Sequence, residues 1–218
     1  MQYFFKNSKI RMFLVLFLLL FFYTFLCAVS YVNAVSSHIS DSVFRLHILA
    51  NSNSEEDQNL KNLVRDEVIS FLTKLTENVN SKKEVIQIVN KNLDQFQQIA
   101  EKVISENGYT YPVKISVGNF SFPTKEYGDV SLPAGSYDAL RIEIGQAAGN
   151  NWWCVLFPPL CFVDVSSGIV PDESKEIIKE NLSDEEYSLI TDDSNEVKFK
   201  FKIVEFFQNV GKQVTAKK

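Results

Sequence analysis

The chain has 218 residues, 45% of them hydrophobic, and a formal charge of −5. That length fits one domain, or two small ones, with ample room for a core. The acidic balance excludes a protein that grips nucleic acid by neutralising phosphates, and three cysteines exclude a disulfide-rich scaffold. These averages conceal three compositions joined end to end. No charged residue lies between Arg11 and Asp41, and every glycine and proline lies at or after Gly108.

The first composition is an export segment. Lys6, Lys9 and Arg11 precede an uncharged run from Met12 to Val32. As a helix rising ~1.5 Å per residue, such a run crosses a hydrocarbon core of ~30 Å. It is apolar on every face, which argues against a core helix of a soluble domain. The basic flank stays in the cytoplasm, so residues from about Val35 act outside it. Residues 1–34 are therefore either a cleaved signal peptide or an uncleaved signal anchor. Val32-Asn33-Ala34 offers small residues at the cleavage positions, whereas the long run of large side chains favours the anchor. Contact with the membrane is expected through this segment. The exported remainder loses three basic residues and no acidic one, so charge alone does not hold it to anionic lipid.

The second composition predicts one strand and two long helices. Phe44, Leu46 and Ile48 alternate with Arg45 and His47, the pattern of a half-buried strand. Asn51-Ser52-Asn53-Ser54 is a turn, and Ser54 with Glu55, Glu56 and Asp57 starts a helix. Leu60, Leu63, Val64, Val68, Phe71, Leu72 and Leu75 form its apolar stripe. Ser81-Lys82-Lys83-Glu84 has the form of a capping box. It opens a second stripe of Val85, Val89, Leu93, Phe96, Ala100 and Val103, which Asn107-Gly108 ends. Arg45 and His47, with Arg65 and Asp66 nearby, form either a polar recognition patch or a solvated sheet face beside a surface ion pair. Two histidines, with no HExxH and no CxxC, give no metal site.

The third composition predicts short strands. Tyr111 to Val117 and Leu140 to Gly145 alternate apolar and polar residues. Between them lies a turn-rich loop of about 18 residues, a contact surface in its own right. The strip from Trp152 to Val163 is apolar on both faces, since Trp152 and Trp153 point to opposite sides of a strand. It is either a central core element, with Trp152 and Trp153 in the core, or a strand offering one face to a partner. Cys154 and Cys161 flank Pro158-Pro159 and are either a disulfide or two buried thiols. Apolar neighbours raise the pKa of the Cys154 thiol, which speaks against a catalytic cysteine. Residues 172–181 fit a short helix and 183–193 a polar surface segment; the final run is either a strand, through Phe199, Phe201 and Ile203, or a helix, through Phe199, Ile203, Phe206 and Val210, ended by Gly211. The whole predicts an α+β fold: a mixed or antiparallel sheet packed against two long helices, in one extracytoplasmic domain over residues 40–210.

Several strings resemble a known family. Arg45-Leu46-His47-Ile48-Leu49-Ala50-Asn51-Ser52, then Asp57-Gln58, Lys61 and Val64-Arg65-Asp66, look like the N-terminal signature of the stage II sporulation protein R family. Phe122-Pro123, Tyr127-Gly128, Leu132-Pro133-Ala134-Gly135, Tyr137-Asp138-Ala139-Leu140-Arg141 and the long Asn151–Asp164 strip are similar to it too. The resemblance implies a signalling protein of endospore formers, which we read as acting by binding without chemistry or cofactor; the alternatives are an exported membrane-tethered structural module or a thiol-dependent cell-envelope enzyme. Such a signal would be made in the forespore and exported into the intermembrane space. There it would activate a membrane-embedded aspartic protease of the mother cell, which removes the pro-sequence of a sigma factor. On that reading Arg45, His47, Asn51, Asp57, Arg65 and Asp66 are partner-binding candidates, together with Pro123, Tyr127, Tyr137 and Arg141 of the later strings.

Overall fold

The computed structural model describes residues 8–77, 79–161 and 170–191. The chain divides into two compact units, residues 1–36 and 37–218. The first is the greater part of helix α1, Ser8–Ser42. Its stretch Lys9–Ala28 is long and apolar enough to cross a membrane. Phe13, Leu18 and Phe21 there expose more than half of their surface, so nothing in the unit covers them. Lys6 lies outside the described residues.

The second unit begins with the last turn of α1 and runs into strand β1, Phe44–Leu49. Helix α2, Glu55–Thr76, follows, started by Ser54, whose hydroxyl accepts from the Asp57 amide at 3.2 Å. The predicted second helix is two: α3, Lys82–Lys91, and α4, Leu93–Glu106. Asn92 breaks it, because its side-chain amide donates to the Ile88 carbonyl at 2.7 Å and competes with the helical ladder. The predicted stripe survives the break: Val85, Val89, Phe96, Ala100 and Val103 are all buried. The Ser81 capping box does not form, since the Ser81 side chain makes no cap hydrogen bond. Gly108 ends α4 at φ +82°, a conformation open to glycine and costly for other residues.

Then come β2, Val113–Phe122; β3, Lys125–Tyr127; β4, Val130–Leu132; β5, Gly135–Ile144; and β6, Asn151–Phe157. The chain continues to α5, Asp172–Asn181, and α6, Asp184–Thr191. The main sheet has the order β2-β5-β1-β6. It is mixed: β1 runs parallel to β5 and antiparallel to β6, and β2 is antiparallel to β5. The expected loop between residues 117 and 140 is mostly strand. Pairing of β2 with β5 continues to Phe122 opposite Gly135, and β3 and β4 form a hairpin at the tip.

Two further expectations are settled. Among the described residues the Trp-Trp segment, expected either as a central core element or as a strand offering a face to a partner, is the edge strand β6, beside the central β1. Residues 184–191 are helix rather than polar surface, and Ile190 is buried. The run after residue 197 and Phe162–Asp164 lie outside the described residues.

The core lies between one sheet face and the helices. Phe44, Leu46 and Ile48 of β1 and Leu140, Ile142 and Ile144 of β5 meet Leu60, Val64, Val68, Phe96 and Ala100. Each such side chain stabilises the fold by about 1.5–3 kcal/mol when fully buried, less for Ala100. Leu63 is an exception in its predicted stripe and stays 44% exposed. Cys154 and Cys161 are joined as a disulfide, their Cα atoms 5.4 Å apart.

Candidate functional site

The other sheet face is polar, and strand register sets its rows. Side chains of paired residues share a face. Gly118, Ala139, Arg45 and Val155 make one row across the sheet, and Ser116, Arg141, His47 and Trp153 the next. Alternation puts Arg45 and His47 opposite the helices, as expected. It does not leave them half-solvated: all six residues of β1 are buried, Arg45 completely. β1 is central, and Phe122 with the β3–β4 hairpin covers its second face.

Aromatic rings enclose Arg45. Its guanidinium carbon lies 4.1 Å from the Phe122 ring centre, 4.6 Å from Tyr137 and 5.7 Å from Tyr127. Nη2 donates to the Tyr127 hydroxyl at 2.5 Å. Cation–π contacts of this desolvated kind contribute up to about 2 kcal/mol each. They offset in part the several kcal/mol needed to desolvate a cation. Burial raises the pKa of both tyrosines, with Arg45 opposing it, so both are neutral phenols near pH 7. The Tyr137 hydroxyl donates to the Pro133 carbonyl at 2.7 Å.

His47 occupies the next row. Trp153 stacks on it at 3.8 Å, and Phe122 meets it edge-on at 5.8 Å. Its Nε2 shares a hydrogen bond of 2.8 Å with Asn151 Oδ1. Burial lowers its pKa, the Asn151 bond opposes this, and the nearby Arg141 and Arg45 charges lower it further. His47 is therefore neutral at pH 7. Arg141, opposite His47 on β5, pairs with Glu143 at 3.0 Å.

At the end of β1 a second polar cluster ties loops together. Asp57 accepts from Asn51 Nδ2 at 2.8 Å and from Ser52 Oγ at 2.5 Å. Burial alone would raise the Asp57 pKa, but hydrogen bonds from Ser52, Asn51 and Tyr111 outweigh it and hold the carboxyl below its ordinary value. Asn51 Oδ1 accepts the Gln146 amide at 2.9 Å, and Lys61 Nζ donates to the Asn150 carbonyl at 3.3 Å. The turn before α2 is thus fastened to the β5–β6 connection. Gly145 there has φ +59°, and a Cβ on it would run into the Asn51 side chain.

The predicted residues therefore fall into three places. Arg45, Tyr127 and Tyr137 touch one another, and His47 and Arg141 lie beside them. Pro123 is half-buried where β2 leaves the sheet for the hairpin. Asn51 and Asp57 form the turn cluster, whose bonds are internal. Arg65 and Asp66 pair at 2.7 Å on α2, where Arg65 covers the Trp152 ring at 4.1 Å. Trp152 pairs in register with Ile48, on the helix-covered face. The expected Arg45, His47 and Arg65 patch is thus split between opposite faces of the sheet. Trp152 and Trp153 are half-buried on those two faces, Trp152 packed against the hydrophobic core. Phe122, the ring shared by Arg45, His47 and Trp153, was not among the candidates; only its place in the Phe-Pro string marks it in sequence.

Residues 40–167 match the family described as Stage II sporulation protein R. The chain belongs to that family. A curated relative named Stage II sporulation protein R, from Bacillus subtilis (strain 168), is 41% identical over 143 residues, which cover 65% of this chain. This chain spans 64% of that relative's length. No solved structure matches the chain. The family match contains the whole polar face and the Asn51–Asp57 cluster, and excludes the apolar stretch of α1, α5 and α6.

Proposed function

We propose that the chain is an exported sporulation signal, sent from the forespore into the intermembrane space. There it activates a membrane-embedded aspartic protease of the mother cell, which then removes the pro-sequence of a sigma factor. One observation carries the reading: a helix of membrane-spanning length and composition at Lys9–Ala28 directly precedes a domain of a sporulation family. The basic residues Lys6, Lys9 and Arg11 at its N-terminal end orient it so that the domain lies outside the cytoplasm.

The action is binding, without chemistry in this chain. A ligand activates its partner only as far as it binds the active state better than the resting one. Moving a partner from 1% to 99% active takes a preference of about 10⁴-fold. A thiol enzyme is disfavoured by geometry. Cys154 is in a disulfide, and its register partner is Leu46, so it lies on the sheet face opposite His47.

The test is to express the full chain with the protease and the pro-sigma factor in a bacterium that does not sporulate. Processed sigma factor should appear only when all three are present. Absence of processing, with the domain detected folded outside the cytoplasm, refutes the proposal.

A further inference from the structure

The polar face holds more hydrogen-bonding capacity than it uses. Arg45 is 0% exposed, and its Nε and Nη1 have no hydrogen-bond partner among the described residues. No carboxylate among the described residues forms an ion pair with it. A guanidinium stays charged at any pH a protein survives, so it cannot escape this by losing a proton. Its faces are taken by rings and one edge by the neutral Tyr127 hydroxyl. Two more buried nitrogens beside it have no partner among the described residues, Nδ1 of His47 and Nε of Arg141. Residues two apart on a strand lie about 7 Å apart, and register sets Arg141 next to His47. Three orphan groups therefore share one patch of one face.

We propose that this patch is a receptor for a carboxylate, an acidic side chain or chain terminus of a partner protein. The inference rests on the reading that the chain acts by binding a partner, and names the chemistry of that contact. A carboxylate brings two acceptor oxygens and no donor, which suits a buried guanidinium with open N–H groups. It also supplies the negative charge that this cation lacks. Tyr127, half-buried on the hairpin, stands at the rim, and on this proposal its side chain must move for a ligand to reach the guanidinium. The charged and titratable groups facing the patch are Arg45, Arg141, Glu143 with its ion-pair partner Lys114, His47, Tyr127 and Tyr137. An arriving anion offers His47 Nδ1 an acceptor once that nitrogen is protonated, so the imidazole then titrates at higher pH.

The probe is sodium acetate, compared with sodium chloride at equal ionic strength, on the full chain in nonionic detergent micelles. The chain has four arginines, so each Nε–H resonance can be followed by NMR and Arg45 assigned by its loss in Arg45→Lys. Acetate should shift the Arg45 signal saturably where chloride does not, and should raise the pH at which His47 titrates. Tyr127→Phe, which frees Nη2, should bind acetate more tightly. Absence of a saturable Arg45 shift in both wild type and Tyr127→Phe overturns the receptor. So does a response to inorganic phosphate without one to acetate. An acetate response without sigma-factor processing in the reconstituted host supports the receptor and refutes the signalling role; processing without an acetate response does the reverse.

Discussion

Removing the Asp57 carboxylate should loosen the whole end of the sheet. Asp57→Ala leaves Asn51 Nδ2 and Ser52 Oγ without their acceptor, and Asn51 is the residue that holds the Gln146 amide. Hydrogen bonds to an ionised group contribute about 1.5–3 kcal/mol each. Both end on one oxygen, and Asn51 and Ser52 are only half-buried, so the low end applies and the cost is about 3 kcal/mol. For a domain of this size that lowers the melting temperature by about 6–12 °C. Because the folded Asp57 pKa is depressed, its contribution is full above the ordinary value of 3.8 and is lost as pH falls through the folded value. The gap between wild type and Asp57→Asn should therefore be constant near neutrality and close in acid. Urea unfolding in detergent micelles measures it, read by the fluorescence of Trp152 and Trp153, both on β6. A loss for Asp57→Ala below about 0.5 kcal/mol, the range of ordinary surface substitutions, refutes the reasoning. So does a gap that persists unchanged at low pH.

Phe96 is fully buried and meets Phe71 edge-on at 4.9 Å, so Phe96→Ala should cost about 3–5 kcal/mol in the same unfolding assay. The Cys154–Cys161 disulfide spans a separation of seven residues, and Cys161→Ser or reduction should cost about 2–3 kcal/mol without unfolding the domain. Melts with and without a thiol reductant check this, and a reduced domain that no longer melts cooperatively contradicts it. His47 is neutral when folded, but the unfolded chain takes up a proton as pH falls below 6.5. Stability should thus decline from about pH 6.5 toward the lower folded value, and His47→Gln should flatten that slope in unfolding midpoints measured across the range.

Local signals read well where a single segment sets the outcome. Ser54 caps α2 as its hydroxyl and acidic neighbours suggest, Gly108 ends α4, and α5 spans the residues predicted for it. The same kind of signal misleads at helix starts where neighbours intervene. Ser81-Lys82-Lys83-Glu84 has the letters of a capping box but forms no side-chain cap. Lys82 reaches instead to the Asp41 carbonyl and to Asp138, both at distances below 3 Å. Ser183-Asp184-Glu185-Glu186, passed over in a polar segment, forms a full box, with Glu186 accepting from the Ser183 amide and Ser183 Oγ accepting from the Glu186 amide. Asn92 likewise gives no strong warning in sequence, since its stripe continues across the break.

The sequence by itself determined the apolar N-terminal helix, the α+β class, the apolar stripes and the two-sided alternation of β1, because each is a property of consecutive residues. Only the tertiary structure decided what lies on the second face of β1. Alternation says that Arg45 and His47 point away from Leu46 and Ile48; it does not say whether water or protein meets them. That depends on β1 being flanked by β5 and β6, and on Phe122, 77 positions further along the chain than Arg45, folding back over the guanidinium. Arg65 was assigned to the same patch by closeness in sequence, and the sheet's thickness puts it on the opposite side, over Trp152. Sequence proximity predicts spatial proximity within one element, whereas packing of elements sets which side chains share a face.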